Sequence, residues 1–81
     1  MTEPRGTREI PSGLKKDWRK LAEAMRDAGW TFEQADHPKC FAPDGRTWVT
    51  LSKTPSDVAA WRNARAAFRR WCRENGVEPG I

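Results

Sequence analysis

The hydrophobic period changes twice along this chain, and those changes restrict the fold more than any single motif does. Leu14, Trp18, Leu21 and Met25 recur at i, i+4, i+7 and i+11, the apolar stripe of a helix, with Ser12 as its predicted cap and Gly29 as its stop. From Trp30 the period is two. Trp30, Phe32 and Gln34 fall on one side and Thr31, Glu33 and Ala35 on the other, which predicts a short strand with one buried face. Further strands are expected at Lys39 to Ala42 and Arg46 to Leu51. Pro43-Asp44-Gly45 between them signals a hairpin, because Asp-Gly tolerates the positive φ angles of the primed turns. The helical period returns after Thr54-Pro55-Ser56-Asp57, which supplies a capping hydroxyl, a proline at the first helical position and an acid at the third. Val58, Trp61, Ala64, Phe68, Trp71 and Cys72 then share one arc, and Gly76 ends the helix.

The expected architecture is α+β in the order α-β-β-β-α, a three-stranded antiparallel meander with two helices packed on one face. Residues 1–11 lack periodicity and read as a flexible N-terminal segment, 12–76 as a single domain and 77–81 as a short C-terminal tail. A chain of 81 residues supports one modest core and no deep interdomain cleft. Five tryptophans dominate its apolar content, so Trp61, Phe68 and Trp71 are expected to carry the burial against Leu14, Trp18, Leu21 and Met25. Trp48 alternates with Arg46 and Thr50 against Thr47, Val49 and Leu51, and is the tryptophan expected to face out.

Cys40 and Cys72 stand far apart without CxxC spacing, and His37 is the only histidine. Neither a disulfide framework nor a zinc site is indicated, both cysteines read as reduced core residues, and no metal or cofactor is expected. No apolar run approaches the roughly 18 residues that span a bilayer, and Met1 to Gly6 lacks the apolar region of a signal peptide. A soluble, cytoplasmic chain is expected.

Charge is informative by position. Residues 1–36 carry seven Lys/Arg and seven Asp/Glu, residues 37–73 carry eight and two, and the last eight residues add Glu74 and Glu78, for a net charge of +4. At 100° per residue Arg62, Arg65, Arg69 and Arg73 fall within about 80° of one another, beside the apolar arc of the second helix. Four arginines on one arc favour bidentate contact with phosphate, although a solvated helix face has the same look. The candidate nucleic-acid-binding residues are Arg62, Arg65, Arg69 and Arg73, with Lys53 and Arg46.

The order helix, meander, helix is that of the double-stranded-RNA-binding-like fold, and its details over about residues 14 to 75 resemble the HicA family of toxins. Ala28-Gly29-Trp30 matches the glycine and aromatic that end the family's first helix. Ala35-Asp36-His37 stands where the family shows Gly-Ser-His; Pro43-Asp44-Gly45 matches its turn, and Ser52 to Asp57 its proline-capped second helix. The resemblance implies a metal-independent endoribonuclease that cleaves mRNA, belongs to a toxin-antitoxin pair and is silenced by a protein antitoxin. His37 would inherit the catalytic role, since an imidazole titrating near neutrality can move the proton of a ribose 2′-hydroxyl.

The reading favoured on these grounds is a small RNA-binding domain, with RNA preferred to DNA, and HicA-like ribonuclease activity through His37. Two alternatives stand beside it: a non-catalytic nucleic-acid-binding module using the same arginine face, and a small domain that targets a host protein through exposed tryptophans.

Overall fold

The computed structural model describes residues 6–52 and 58–81. Its elements are α1 (Lys16–Asp27), β1 (Thr31–Glu33), β2 (Lys39–Phe41), β3 (Trp48–Thr50) and α2 (Val58–Asn75). The strands form one antiparallel sheet in the order β1-β2-β3, so the chain is an α-β-β-β-α domain of the α+β class. Phe32, Cys40 and Val49 lie opposite one another in register and are all buried. They join Trp18, Leu21 and Met25 of α1 and Phe68 and Cys72 of α2 in one core, which places both helices on the same face of the sheet. The other face carries the cross-strand rows Thr31-Phe41-Trp48 and Glu33-Lys39-Thr50. Among the described residues no helix is long and apolar enough to cross a membrane.

Trp30 sits where α1 gives way to β1. Gly29, at φ 93°, turns the chain there, and the Trp30 N–H donates to the Met25 carbonyl at 3.0 Å. The Trp30 ring is fully buried and meets Phe68 and Trp71 of α2 edge to face, at centroid distances of 5.6 and 5.4 Å. Its indole N–H is buried without a nitrogen or oxygen acceptor, which leaves the faces of the neighbouring rings as the acceptors at hand.

The helices run in the same sense. The indole of Trp61, at the start of α2, donates to the Asp17 carbonyl at 3.0 Å, while the residues after α2 lie beside Ala24, Asp27 and Ala28 at the end of α1.

Several local expectations need correction. Ser12 does not cap α1: Gly13, at φ 83°, turns the chain first, and the helix begins at Lys16 with Lys15 as an N-cap that makes no side-chain bond. Val58 does not belong to the buried arc of α2 but is 53% exposed, because the core reaches α2 only from Ala60 onward. Within the segment read as a lead-in, Thr7 pairs with Phe32 and extends the sheet beyond β1. A Cβ on Gly6 would collide with the Phe32 carbonyl, so only glycine lets the chain approach that closely. The short tail folds back, with Val77 and Ile81 packed against the core. The capping segment Thr54 to Asp57 lies outside the described residues.

The β2–β3 connection is not a primed two-residue turn. Ala42 donates to Thr47 at 2.8 Å, leaving four residues outside the ladder, of which only Gly45 has positive φ. Asp44 closes this loop: its carboxylate accepts the backbone N–H groups of Arg46 (2.7 Å) and Thr47 (2.9 Å), the Thr47 hydroxyl (3.1 Å) and the Trp71 indole N–H (3.2 Å). One exposed carboxylate therefore ties the hairpin to α2.

The Thr47 backbone N–H, with help from the other donors, holds the Asp44 carboxyl below its ordinary value. A lowered native pKa contributes stability above the usual carboxylate range and loses it as pH falls through the native value. Asp44→Asn should therefore cost about 1 kcal/mol near neutrality, the low end for a charge-assisted hydrogen bond because the site is exposed. Urea midpoints at pH 7 and pH 3 should show the gap between variant and wild type narrowing in acid; a gap independent of pH would show that the carboxylate charge is irrelevant.

Candidate nucleic-acid interface

The burial of Ala64, Phe68, Trp71 and Cys72 fixes the rotation of α2 about its axis. It follows that Arg62, Arg65, Arg69 and Arg73 run along the flank next to α1, and Arg62, Arg69 and Arg73 are exposed. Arg65 is half-buried. Its guanidinium carbon lies 5.7 Å from the ring centroid of Trp61, and its Nε is shielded from solvent without a hydrogen-bond partner. Trp61 is itself anchored through its bond to Asp17, so Arg65 rests on a fixed platform.

The charge environment separates these arginines from others on the surface. Arg19 pairs with Glu23 at 3.7 Å, Arg26 with Asp27 at 3.8 Å and Arg70 with Glu74 at 3.5 Å. Among the described residues none of the four stripe arginines is in an ion pair. Arg70 shows that the contrast holds within one helix: one flank of α2 pairs its arginine with Glu74, and the other holds four arginines in no ion pair among the described residues.

The remaining predicted residues do not all join this flank. Arg46 is exposed on the hairpin that bonds to Trp71, and Trp71 projects about 120–180° around α2 from the stripe positions. It therefore lies across the helix from Arg62, Arg69 and Arg73. Lys53 lies outside the described residues. His37 is exposed in the β1–β2 connection, between exposed Asp36 and buried Pro38, whose carbonyl accepts the Leu51 N–H at 2.7 Å. This connection is at the end of the sheet opposite the hairpin, the end where the helices begin. His37 thus shares its end of the molecule with Arg62 and Arg65, while Arg69 and Arg73 extend toward the other.

The periodicity of α2 did not show what becomes of the tail. Val77 donates to the Cys72 carbonyl at 2.8 Å, and Gly76, Val77, Glu78 and Pro79 form a shallow groove with Arg69 and Arg73. Glu78 is the acid facing that groove. No local pattern announces the arrangement, because it depends on Val77 and Ile81 reaching the core.

Both cysteines are free and buried, and burial raises both thiol pKa values, so neither is a ready nucleophile or metal ligand. Among the described residues no cluster of His, Cys, Asp and Glu could hold a metal ion. Comparison with protein families, curated proteins and solved structures gives no match.

The stripe should be heterogeneous in stability. Arg65→Ala removes a stem and a cation–π contact packed on Trp61 and should cost about 1 kcal/mol. Arg62→Ala, Arg69→Ala and Arg73→Ala should each stay within about 0.5 kcal/mol of wild type. Thermal melts of the four single variants provide the check, and equal melting of all four would contradict the packing of Arg65.

Proposed function

We propose that the arginine flank of α2 binds the phosphate backbone of a nucleic acid, with RNA as the preferred form. The observation that carries this reading is that Arg62, Arg65, Arg69 and Arg73 form no ion pair among the described residues, on a protein that pairs Arg19, Arg26 and Arg70 with neighbouring acids. Guanidinium groups offer paired N–H donors that match phosphate oxygens, and successive positions along a helix flank can follow successive phosphates. Arg65 is held in place before any ligand arrives, which lowers the side-chain entropy lost on binding. Such contacts position a backbone without reading bases, so affinity should depend weakly on sequence. The preference for RNA rests on the resemblance of the α-β-β-β-α order to the double-stranded-RNA-binding-like fold.

A second reading, a HicA-like endoribonuclease, draws support from the exposure of His37 at the end of the molecule shared with Arg62 and Arg65. The arginines would hold the backbone while the imidazole removes the 2′-hydroxyl proton, so that the 2′-oxygen attacks the adjacent phosphorus and the 5′-oxygen leaves. Asp36, the neighbouring exposed acid, would oppose the approach of a phosphate to His37. A protein antitoxin belongs to this reading alone.

One experiment addresses both. A labelled single-stranded RNA is titrated with protein at several salt concentrations in the presence of a chelator. Log affinity should fall linearly with log salt, and Arg62→Ala combined with Arg69→Ala should flatten the slope by about 1.4, at roughly 0.7 for each phosphate no longer neutralised. If the protein cuts the RNA, His37→Ala should abolish cleavage and leave the slope unchanged. Absence of binding at low salt, or a slope indifferent to the double substitution, would overturn the arginine interface; binding without cleavage leaves a non-catalytic binder.

A further inference from the structure

The two edges of the sheet are finished differently, and the hydrogen-bond phase of the ladder shows how. Ala42 donates to Thr47 directly opposite it, and Leu51 donates to Pro38. Bonded pairs alternate along an antiparallel ladder, so Cys40 and Val49 form a bonded pair whereas Phe41 with Trp48 and Lys39 with Thr50 do not. The N–H and C=O groups of Trp48 and Thr50 consequently point away from β2. The same phase turns the groups of Phe32 outward from β1, and there Thr7 takes both, at 2.6 and 2.7 Å. The β1 edge is covered; among the described residues nothing pairs with the β3 edge.

Edges of native sheets are commonly guarded by lysine, proline, a bulge or an inward charge. Trp48-Val49-Thr50 is short but carries no lysine, proline, bulge or inward charge of its own, consists of three strong strand formers, and leaves Trp48 53% exposed with the Lys39 ammonium of β2 5.4 Å from its ring centroid. We infer that this edge is an interface between two copies of the chain, joined through β3 into one six-stranded sheet. A two-fold axis at Val49 sets Trp48 of one copy opposite Thr50 of the other, and both residues present outward N–H and C=O groups. Four backbone hydrogen bonds form in that register, and on the open face each Trp48 ring lies against a threonine, a favourable aromatic and β-branched pair.

The register is self-complementary, which favours a second copy as the occupant, and charge allows it. A chain of net charge +4 repels its own kind across most of its surface, but no charged residue lies in this edge strand. The flank of α2 above the hairpin is neutral as well, with Asn63, Ala67 and the Arg70–Glu74 pair. Lys39 of β2 reaches over the Trp48 ring on the open face, and because it belongs to the row of Thr50, the lysines of the two copies lie on different cross-strand rows and do not stand directly opposite each other. A two-fold axis through an antiparallel strand pair stands perpendicular to the sheet, so both helical layers lie on one side and both arginine stripes belong to that side. The dimer stands or falls independently of nucleic-acid binding.

Sedimentation equilibrium of the full chain, from micromolar to near-millimolar concentration, should show a mass rising from 9.3 kDa toward twice that value. Amide exchange at Trp48 and Thr50 should slow in parallel. Thr50→Pro removes an outward N–H and no bond within the ladder, so it should stay at 9.3 kDa while retaining wild-type circular dichroism. If that variant does not fold, Trp48→Lys decides, since it guards the edge without touching the core. A wild-type chain that stays monomeric at the highest concentration, including one that instead accepts an extended peptide on β3, overturns the proposal. So does a dimer that survives substitution of the edge.

Discussion

The edge-to-face packing of Trp30 against Phe68 and Trp71 is the contact on which the arrangement of this small domain depends. Trp30 belongs to the α1–β1 junction, and its two ring partners lie almost one helical turn apart on α2. Together they hold α2 over the sheet and fix which way each of its residues points. Trp71 passes the constraint on through Asp44 to the β2–β3 hairpin. A core built from a few large rings in this way has little redundancy: removal of one ring would release the helix, the hairpin and the arginine flank together.

That fixed rotation gives α2 two contrasting sides. On the side of α1, four arginines stand in no ion pair among the described residues, three of them exposed and Arg65 resting on Trp61. On the side of β3, the helix carries alanines, an asparagine and an arginine already paired with Glu74. Electrostatics thus divides one helix into a flank suited to a polyanion and a flank that a second copy can approach. The sheet repeats the division, since Thr7 covers the β1 edge while, among the described residues, nothing pairs with the backbone groups of Trp48 and Thr50 on the other.

Features set by local periodicity were legible before the fold was known. The stripe Trp18, Leu21, Met25, the alternation around Phe32 and the arc Phe68, Trp71, Cys72 placed α1, β1 and α2; the alternation around Val49 placed β3 with Trp48 outside, and β2 was bounded by the Pro43-Asp44-Gly45 turn after it. Features set by contacts remote in sequence were not legible. Asp44 read as a turn former, yet its carboxylate also binds an indole 27 residues away. Ser12 had the chemistry of a cap but stands before a glycine that turns the chain. Thr7 and the tail beyond Gly76 looked unstructured because their partners are Phe32 and the core, which no window of neighbouring residues contains. The candidate site divides similarly: the arginine stripe follows from helical spacing, whereas the separation of Arg46 from it follows from the docking of the hairpin on Trp71.

Nucleic acid is proposed to meet this protein on the α1 side of α2. Nuclear magnetic resonance of the arginine Nε–H and tryptophan indole N–H groups during titration with a short single-stranded RNA tests it most directly. The Nε–H signals of Arg62, Arg69 and Arg73 should shift in step with binding while those of Arg46 and Arg70 and the Trp48 indole signal stay in place. Shifts concentrated on Trp48 and Arg46, with the stripe unmoved, would contradict it and place the interface on the sheet.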